Sequence, residues 1–403
     1  MLRGQHQRLR SGRLATSLRV VAGLLALAIG GTFVFLGWVG ASGFERVDFE
    51  GPNAPEPGVA APSEIGPVIE EVSGVTNVLL VGTDSREGLT DEDLLRIGTN
   101  REDRVGLTDT LMLVRLDATN HRAAVLSFPR DLLVERCDGS MGRINAAYEV
   151  GEELTEAGWT GPSCLRETIS DFSGLEIDHY VEADFSGFIA AVDAVGGVTF
   201  NLDEPIRDRD AGIDLPAGCV TFNGTDALGF VRARKIDSDY GRIARQQRFL
   251  RELVAKATSL ETLSQPSRVV GLVNAVGGAI RTDQDLGPTQ MARLGYTFRS
   301  LTNDGIETFV IPGVDRRWYG ADVLEPADDA DDVIAAFRSA GTPSAAPSSP
   351  AGGGAGGGGA GTVAPATPGG APSAGASAAA PTPTPSPSPG PTFNNGALSD
   401  VAC

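Results

Sequence analysis

The hydrophobic pattern from residue 77 onward predicts strands before helices. Three short apolar runs, residues 77–82, 110–116 and 123–128, have turn or charged residues at both ends, as buried strands do. A fourth run of this kind, residues 198–202, follows a pair of glycines. We therefore expect these four segments to form strands.

Helical spacing occurs between and after these runs. Apolar residues recur at steps of three and four in residues 184–195, where Asp184 is placed to cap the first turn. Residues 225–234 and 241–258 are the next predicted helices. Strands and helices mixed in this order favour an α/β fold, an α/β/α sandwich around a central mixed sheet, or else an α+β domain with one sheet.

Residues 20–39 form an uncharged run rich in Leu, Ala, Val and Ile, close to the about 20 residues that span ~30 Å of hydrocarbon as a helix. Five arginines and no acidic residue precede it, so the positive-inside rule places residues 1–19 in the cytoplasm and the main part of the chain outside. Small residues at 39–41 leave a cleaved signal peptide as the alternative. Because the run is long for a signal peptide, we predict an uncleaved single-pass anchor in the cell membrane.

Composition divides the rest of the chain. Residues 40–74 are rich in Pro, Gly and Glu, which predicts a flexible juxtamembrane linker. Residues 341–392 are almost wholly Ala, Gly, Pro, Ser and Thr, which cannot bury a core, so we predict disorder there. The predicted organisation is a cytoplasmic tail (1–19), a membrane helix (20–39), the linker (40–74), a catalytic domain (75–340), the disordered segment (341–392) and a C-terminal segment (393–403).

The 403-residue chain has a formal net charge of −19 and only three histidines. A protein this acidic has no electrostatic footprint for nucleic acid, so we expect no nucleic-acid partner. The scarcity of histidine argues against a multi-histidine zinc site.

Four cysteines lie on the predicted outer, oxidising side, and their spacing differs from that of metal sites, which favours disulfides. Sequence allows three pairings, and a buried free thiol is the alternative for Cys219. A cysteine that ends the chain after a disordered segment has little reason to be there unless it is tied down. We therefore predict a disulfide between Cys403 and either Cys137 or Cys164.

Charged residues stand directly beside the predicted strands. Asp84 and Arg130 each follow a strand and Asp109 precedes one, and such positions collect at the edge of a sheet, where ligands bind in α/β folds. The alternative is that each acid pairs with a neighbouring arginine or caps a helix.

Cations also share one face of the predicted helix 241–258, since residues three and four apart are neighbours there. Converging cations repel one another unless an anion lies between them, and pyrophosphate suits the forked guanidinium groups of arginine. Mg²⁺ binds a couple of carboxylates with phosphate oxygens and water, a role that Asp84 and Asp109 match. The candidate anion-binding residues are Arg232, Arg234, Arg242, Arg245 and Gln246.

A series of ordered motifs runs through residues 77–256. They are NVLLVGTDSR from Asn77, TDT from Thr108, SFPRDL from Ser127, RINAAY from Arg143, DHYV from Asp178, DAVGGV from Asp193 and LPAGCVTFNGTDALGFVRARKIDSDYGRIARQQ from Leu215. In these motifs the chain resembles the LytR-CpsA-Psr family of membrane-anchored enzymes of bacterial cell envelopes.

The resemblance implies an α/β/α domain that transfers a glycopolymer from a polyprenyl-pyrophosphate carrier to a hydroxyl of peptidoglycan or another wall acceptor, with Mg²⁺ as cofactor. On the matching positions it implies metal binding by Asp84 and Asp109, with Asp84, Arg130 and Asp239 catalytic. Asp239 would orient the arginine cluster or the metal shell. The pyrophosphate-binding residues that it implies are Arg86, Arg130, Arg232, Arg234, Arg242 and Gln246.

Two other functions stay open at this point: a non-catalytic anchored regulator that binds lipid-linked wall polymers, and a polyprenyl pyrophosphate hydrolase in which water replaces the acceptor hydroxyl. The apolar residues of 184–195 and 222–231 would line a tunnel for the lipid or fill an ordinary core.

Overall fold

The computed structural model of the protein describes residues 45–52, 72–86, 88–99, 108–234, 236, 238–257, 280–298, 300–301, 305–340 and 403. Its strands are β1 (Glu45–Arg46), β2 (Val75–Thr83), β3 (Thr108–Asp117), β4 (Arg122–Ser127), β5 (Leu133–Glu135), β6 (Met141–Arg143), β7 (His179–Ala183), β8 (Val198–Leu202), β9 (Ile206–Asp208), β10 (Ile213–Leu215), β11 (Gly218–Phe222), β12 (Ile280–Thr282), β13 (Ile306–Val310), β14 (Gly313–Trp318) and β15 (Ala321–Pro326). Its α-helices are α1 (Asp91–Arg96), α2 (Ala147–Glu153), α3 (Gly161–Ser173), α4 (Phe185–Ala194), α5 (Gly224–Arg232), α6 (Asp239–Ala257), α7 (Pro288–Thr297) and α8 (Ala330–Ser339).

Seven strands form a mixed sheet in the order β1-β12-β7-β2-β3-β4-β13. The central strand β2 pairs parallel with β7 and antiparallel with β3, while β4 and β13 pair in parallel. Strand pairs β5–β6, β8–β11, β9–β10 and β14–β15 lie outside this sheet. The predicted α/β fold, with a central mixed sheet flanked by helices, is confirmed.

The four predicted strands are parts of β2, β3, β4 and β8, and the three predicted helices are α4, α5 and α6. Asp184 caps α4 as predicted, because its carboxylate accepts the backbone N–H of Gly187 at 2.7 Å. Helix α5 ends at Arg232, two residues earlier than predicted. Ala233 adopts an extended backbone, so Arg234 leaves the helix axis.

Alternation along the central strands divides the sheet into two faces. Leu79 and Val81 on β2, with Leu111 and Leu113 on β3, are buried in a core shared with α2, α3 and α8. The residues between them point to the opposite face, towards α4, α5 and α6. That second face carries the cavity described below.

A second core lies beneath α5 and α6. The rings of Phe200, Phe222 and Phe230 pack with centroids 5.1 to 5.5 Å apart, and Phe249 of α6 stacks on Phe200 at 5.8 Å. Such ring pairs add to the burial of apolar area. This core fixes the position of α6 relative to α5 and the β8–β11 pair.

Part of the predicted linker folds onto the domain. Glu45 and Arg46 pair in parallel with β12, and Val47 and Phe49 are each 5% exposed within the first core. The segment alternates polar and apolar residues, a signal too short to stand out from the surrounding Pro- and Gly-rich sequence.

Both disulfides are intramolecular, but the predicted partner of Cys403 is wrong. Cys137 bonds to Cys164, which joins the β5–β6 turn to α3, and Cys219 on β11 bonds to Cys403. The alternative of a free Cys219 thiol is also wrong. Sequence carries no information on which cysteines the fold brings together, since neither pair is close along the chain.

No helix within the described residues is both long enough and apolar enough to cross a membrane. The predicted anchor at residues 20–39 lies outside the described residues, as do the predicted tail at 1–19 and the predicted disordered segment at 341–392.

Candidate functional site

A β-bulge turns Asp109 out of the sheet. The pairing of β2 with β3 steps from Gly82 and Thr110 directly to Thr83 and Thr108, so Asp109 is an extra residue without a partner in the register. Bulges bend a strand and re-aim a side chain. Asp109 therefore projects from the end of β3, beside Asp84, which directly follows β2.

Two arginines converge on the Asp109 carboxylate. Arg130 donates to its Oδ1 at 2.8 Å, and Arg234 donates to Oδ1 at 3.3 Å and Oδ2 at 3.2 Å. Burial disfavours the charge of Arg130, but the hydrogen bond and charge of Asp109 outweigh burial and raise the pKa of Arg130. The predicted convergence of charged residues from separate parts of the chain is thus present.

Two further guanidinium groups, one buried and one half-buried, lie around this pair. Arg242 on α6 is 4% exposed and donates to Asp239 at 2.7 Å, and Arg232 donates to the carbonyl of Ile97 at 2.8 Å while lying over the Phe185 ring. Burial lowers the pKa of Arg242 and of Arg232, and neighbouring arginine charges lower both further. A buried anion would relieve this repulsion.

A cavity of about 800 Å³ extends from the arginines between the second sheet face and helices α4, α5 and α6. Its wall along α6 changes character. Arg242 and Gln246 line its N-terminal part, and Phe249, Leu250 and Leu253 line the part beyond. At 1.5 Å per residue the wall runs about 16 Å along the helix. The cavity is thus charged at one end and apolar along the rest.

The sheet and the neighbouring helices repeat this division. Along β2, Leu80 lines the apolar part, while Asp84 lies past the strand end with the charged groups. The apolar lining includes Met112, Val181, Phe185, Phe188, Leu228 and Val231. The two roles weighed for the apolar residues of 184–195 and 222–231 therefore both occur, since Phe222 and Phe230 fill the second core instead.

The structure gathers most of the predicted anion-binding residues at the cavity. Arg86, Arg232, Arg234, Arg242 and Gln246 line it, as do Asp84 and Asp109. Arg130 and Asp239 are not part of the lining. Arg130 forms an ion pair with Asp109, and Asp239 forms one with Arg242.

Arg245 is placed elsewhere. Its side chain is 1% exposed, donates to the carbonyl of Ala233 and lies 6.0 Å from the Phe230 ring centroid, outside the cavity lining. Helical spacing groups it with Arg242, but the packing of α5 against α6 encloses it. Its contacts hold α5 to α6.

Two polar residues at this site have no sequence signal of their own. Asp208 at the end of β9 lines the cavity and is 3% exposed, although its surroundings in sequence resemble a solvated charged loop. Gln247 is buried and donates to the Ser127 hydroxyl and the Phe309 carbonyl, each at 2.8 Å, so it ties α6 to the ends of β4 and β13.

The acidic side chains at the site suit one kind of metal ion. Within the described parts of the chain, no three His, Cys, Asp or Glu side chains are grouped as a metal site made by protein alone. Mg²⁺ commonly takes only one or two carboxylates and completes its shell with phosphate oxygens and water. Asp84 and Asp109, which line the same cavity, fit that requirement.

Fold and site together define the class of the protein: an α/β domain whose cavity joins an arginine cluster to an apolar channel. The chain belongs to the LytR-CpsA-Psr family, whose sequence model, described as the LytR_cpsA_psr family, matches residues 56–336.

Individual relatives agree with this assignment. The chain is 36% identical over 296 residues to the probable cell wall biosynthesis protein LcpB of Corynebacterium glutamicum, covering 73% of this chain but only 64% of LcpB. It is 29% identical over 303 residues, 73% of this chain and 85% of the relative, to the polyisoprenyl-teichoic acid–peptidoglycan teichoic acid transferase TagU of Oceanobacillus iheyensis. The crystal structure of Bacillus subtilis TagV superimposes with a TM-score of 0.53 and 25% identity, covering 66% of this chain and 97% of TagV.

Proposed function

We propose that the protein is a phosphotransferase that moves a glycopolymer from a polyprenyl-pyrophosphate carrier to a hydroxyl of peptidoglycan or another wall acceptor. The observation that carries the proposal is the change from charged to apolar side chains along the cavity wall, from Arg242 to Leu253 on α6. A polyprenyl pyrophosphate has the same division within one molecule. TagU is named as a transferase from a polyisoprenyl carrier to peptidoglycan, which supports the proposal.

Buried charge supports the placement of the pyrophosphate. Arg242 is buried and Arg232 is half-buried, burial lowers the pKa of both, and the nearby Asp109 carboxylate is shared between Arg130 and Arg234. Guanidinium groups offer paired donors that match phosphate oxygens. The bound anion would therefore neutralise cations that folding has already partly desolvated.

In the proposed reaction the acceptor hydroxyl oxygen attacks the phosphorus atom attached to the sugar. A bond forms between them as the bond from that phosphorus to the bridging oxygen breaks, and the polyprenyl phosphate leaves with the electron pair. The hydroxyl proton is released. The arginines stabilise the charge that develops on the leaving phosphate, because preorganised donors act strongly where water is excluded.

Asp84 and Asp109 would hold Mg²⁺, which when bound neutralises phosphate charge. Asp239 holds the Arg242 guanidinium in place at 2.7 Å. An anchor at residues 20–39 would keep the domain on the outer side of the membrane that contains the lipid carrier. The apolar cavity wall would then receive the chain of that carrier.

The test uses full-length protein in detergent micelles with labelled lipid-linked polymer and peptidoglycan, with and without Mg²⁺. We expect the label to move to peptidoglycan and polyprenyl phosphate to be released. Arg242→Ala should abolish both signals. Arg207→Ala is the matched control, since Arg207 forms an exposed pair with Asp214 on the β9–β10 hairpin.

Two outcomes would contradict the proposal. Release of polyprenyl phosphate that does not depend on an acceptor, with no label on peptidoglycan, would indicate a pyrophosphate hydrolase. Binding of the lipid-linked polymer with no product of either kind, in the presence of Mg²⁺, would indicate an anchored regulator.

A further inference from the structure

The β14–β15 hairpin ends in two aromatic side chains that lie outside the cavity. Tyr319 at the turn is 95% exposed, and its ring meets the Trp318 ring edge to face with centroids 5.1 Å apart. On the same strand face, two and four residues before Trp318, lie Arg316 and the exposed Val314. Arg316 lies over the Trp318 ring at 5.1 Å.

The backbone at this tip is unfavourable for the residue it carries. Tyr319 has φ of +45° and is followed by Gly320 at +87°. A turn with two successive positive φ values prefers Asn or Gly, because a Cβ is disfavoured in the left-handed region. Tyr319 adds almost nothing to a core, so no packing energy offsets the strain of its backbone, and the residue lowers the stability of the fold. A strained, exposed side chain of this kind indicates a contact outside the folded chain.

The base of the hairpin is attached to the chain neighbours of Arg130 and Asp239. The Tyr240 hydroxyl accepts from the backbone N–H of Gly313 at 2.8 Å, and the N–H of Leu324 donates to the carbonyl of Asp131 at 2.9 Å. Tyr240 follows Asp239, and Asp131 follows Arg130. The base of the hairpin is therefore held beside Arg130 and Asp239, and its tip presents the Tyr319 ring and charged side chains to solvent, with Trp318 half-buried.

The chemistry of the tip suits a sugar chain. The C–H groups of a pyranose ring carry partial positive charge and pack on the negative face of an aromatic ring, and arginine donates to sugar hydroxyls. A membrane surface suits the tip less well. Residues 313–326 contain two arginines against three acids, a net charge of 2 − 3 = −1, which an anionic lipid surface repels.

We propose that Trp318 and Tyr319 bind the saccharide chain of the acceptor and hold it beside the arginine cluster. The inference rests on the proposed function insofar as the saccharide is the acceptor of the transfer. Binding of the saccharide itself is independent of turnover.

The variants are Tyr319→Gly and Trp318→Ala, made in full-length protein in nanodiscs, with soluble uncross-linked peptidoglycan strands as the probe. Glycine is favoured at the positive φ of Tyr319, so Tyr319→Gly should retain or raise thermal stability while its strand affinity falls about tenfold or more. Tyr296→Ala, which removes an exposed tyrosine on α7, is the matched control and should bind as the wild type does.

Kinetics give a second measurement. In the transfer assay the variants should raise the acceptor KM about tenfold with little change in kcat, because the rings contact the acceptor and not the reacting phosphate. Affinity for the lipid-linked donor should be unchanged.

Normal strand binding and normal acceptor KM in both variants would overturn the inference and leave the proposed function standing. A wild type that transfers nothing, yet binds strands in a Trp318-dependent manner, would remove the proposed function and support the saccharide surface. Tryptophan quenching by brominated lipid in the nanodisc that is present in the wild type and lost in Trp318→Ala would show that the tip meets the membrane and would also overturn the inference.

Discussion

The carboxylate of Asp208 accepts a hydrogen bond from the backbone N–H of Arg234 at 3.1 Å. Arg234 lies two residues beyond the end of α5, where the backbone has left the helix and no helical bond holds it. Asp208 thus fixes the chain at the point from which the Arg234 side chain reaches Asp109. The hydrogen bond links the small β9–β10 hairpin to the arginine cluster.

Asp208→Ala should weaken both stability and transfer. The half-buried backbone N–H of Arg234 loses its acceptor, a hydrogen bond worth about 0.5 to 1.5 kcal/mol, and Arg234 is held less firmly against Asp109. We expect a lower denaturant midpoint and a lower kcat. Asp214→Ala on the same hairpin, whose pair with Arg207 is exposed, should change neither, and equal effects of the two substitutions would refute the role of Asp208.

Asp109→Asn should separate anion binding from metal dependence. Removing the charge leaves Arg130 and Arg234 without their shared counter-ion, so inorganic pyrophosphate should bind more tightly in the absence of Mg²⁺. Mg²⁺ should then add little to that affinity, and transfer should fall. Calorimetric titration of pyrophosphate with and without Mg²⁺ measures both effects.

The double variant Asp84→Ala, Asp109→Ala provides the stricter check of the metal. Wild-type transfer and wild-type Mg²⁺ dependence in this variant would eliminate the proposed Mg²⁺ site.

Arg242→Lys should impair pyrophosphate binding nearly as much as Arg242→Ala. Lysine keeps the charge but lacks the fork that donates to Asp239 and to phosphate oxygens together. The measurement is affinity for a polyprenyl pyrophosphate at matched thermal stability. Tight binding by the lysine variant would mean that Arg242 serves only as the ion-pair partner of Asp239.

Stability should depend on pH through His179. Burial disfavours the charge of its imidazole, but the hydrogen bond and charge of Asp283 outweigh burial and raise the pKa of His179. A raised folded-state pKa contributes stability that is complete below about pH 6.5 and is lost as pH rises through the folded-state value. The free energy of unfolding should therefore fall as pH rises through this window.

Urea unfolding at a series of pH values compares the wild type with two variants. His179→Gln should lose the slope in this window, and His121→Gln, which alters the turn between β3 and β4, should keep it. An unchanged slope in His179→Gln would assign the pH dependence to another group.

Cys137→Ser with Cys164→Ser should destabilise the domain. Closing a loop between cysteines 27 residues apart contributes about 3 to 4 kcal/mol in the chain-entropy model, and the buried position of Cys164 adds a packing loss. Thermal unfolding measures the difference. Non-reducing peptide mapping should recover Cys219 linked to Cys403, and a Cys403 peptide in any other linkage would contradict the pairing.

Sequence predicted three strands of the central sheet and most of the residues that line the site, but not β7, which pairs with the central strand β2. The runs that form β2, β3, β4 and β8 are buried because they are apolar. An apolar run bounded by turn or charged residues is visible in the sequence itself. The site arginines were recognisable because cations rarely cluster beside strands and helices without a partner. The bulge at Asp109 has no comparable signal, since it depends on the register between two strands.

The other differences between the predictions and the structure arise from packing between segments that are distant along the chain. Arg245 and Arg242 are three residues apart and equivalent by helical spacing, but Phe230 of α5 and Ala233, which follows α5, contact Arg245 and not Arg242. The partner of Cys403 is likewise decided by which surface lies near residue 403. The sequence did not predict the short β14–β15 hairpin because charged residues interrupt its strands, which lack an apolar run.

The pairing of β1 with β12 also protects the molecule from self-association. With residues 45–52 removed, the three-residue strand β12 would become the edge of the sheet, and its free N–H and C=O groups would be open to pair with another molecule. The same removal would expose the core beneath Val47 and Phe49, whose burial is worth about 1.5 to 3 kcal/mol each. A soluble fragment that begins at residue 75 should therefore aggregate, whereas one that begins before residue 45 should stay monomeric.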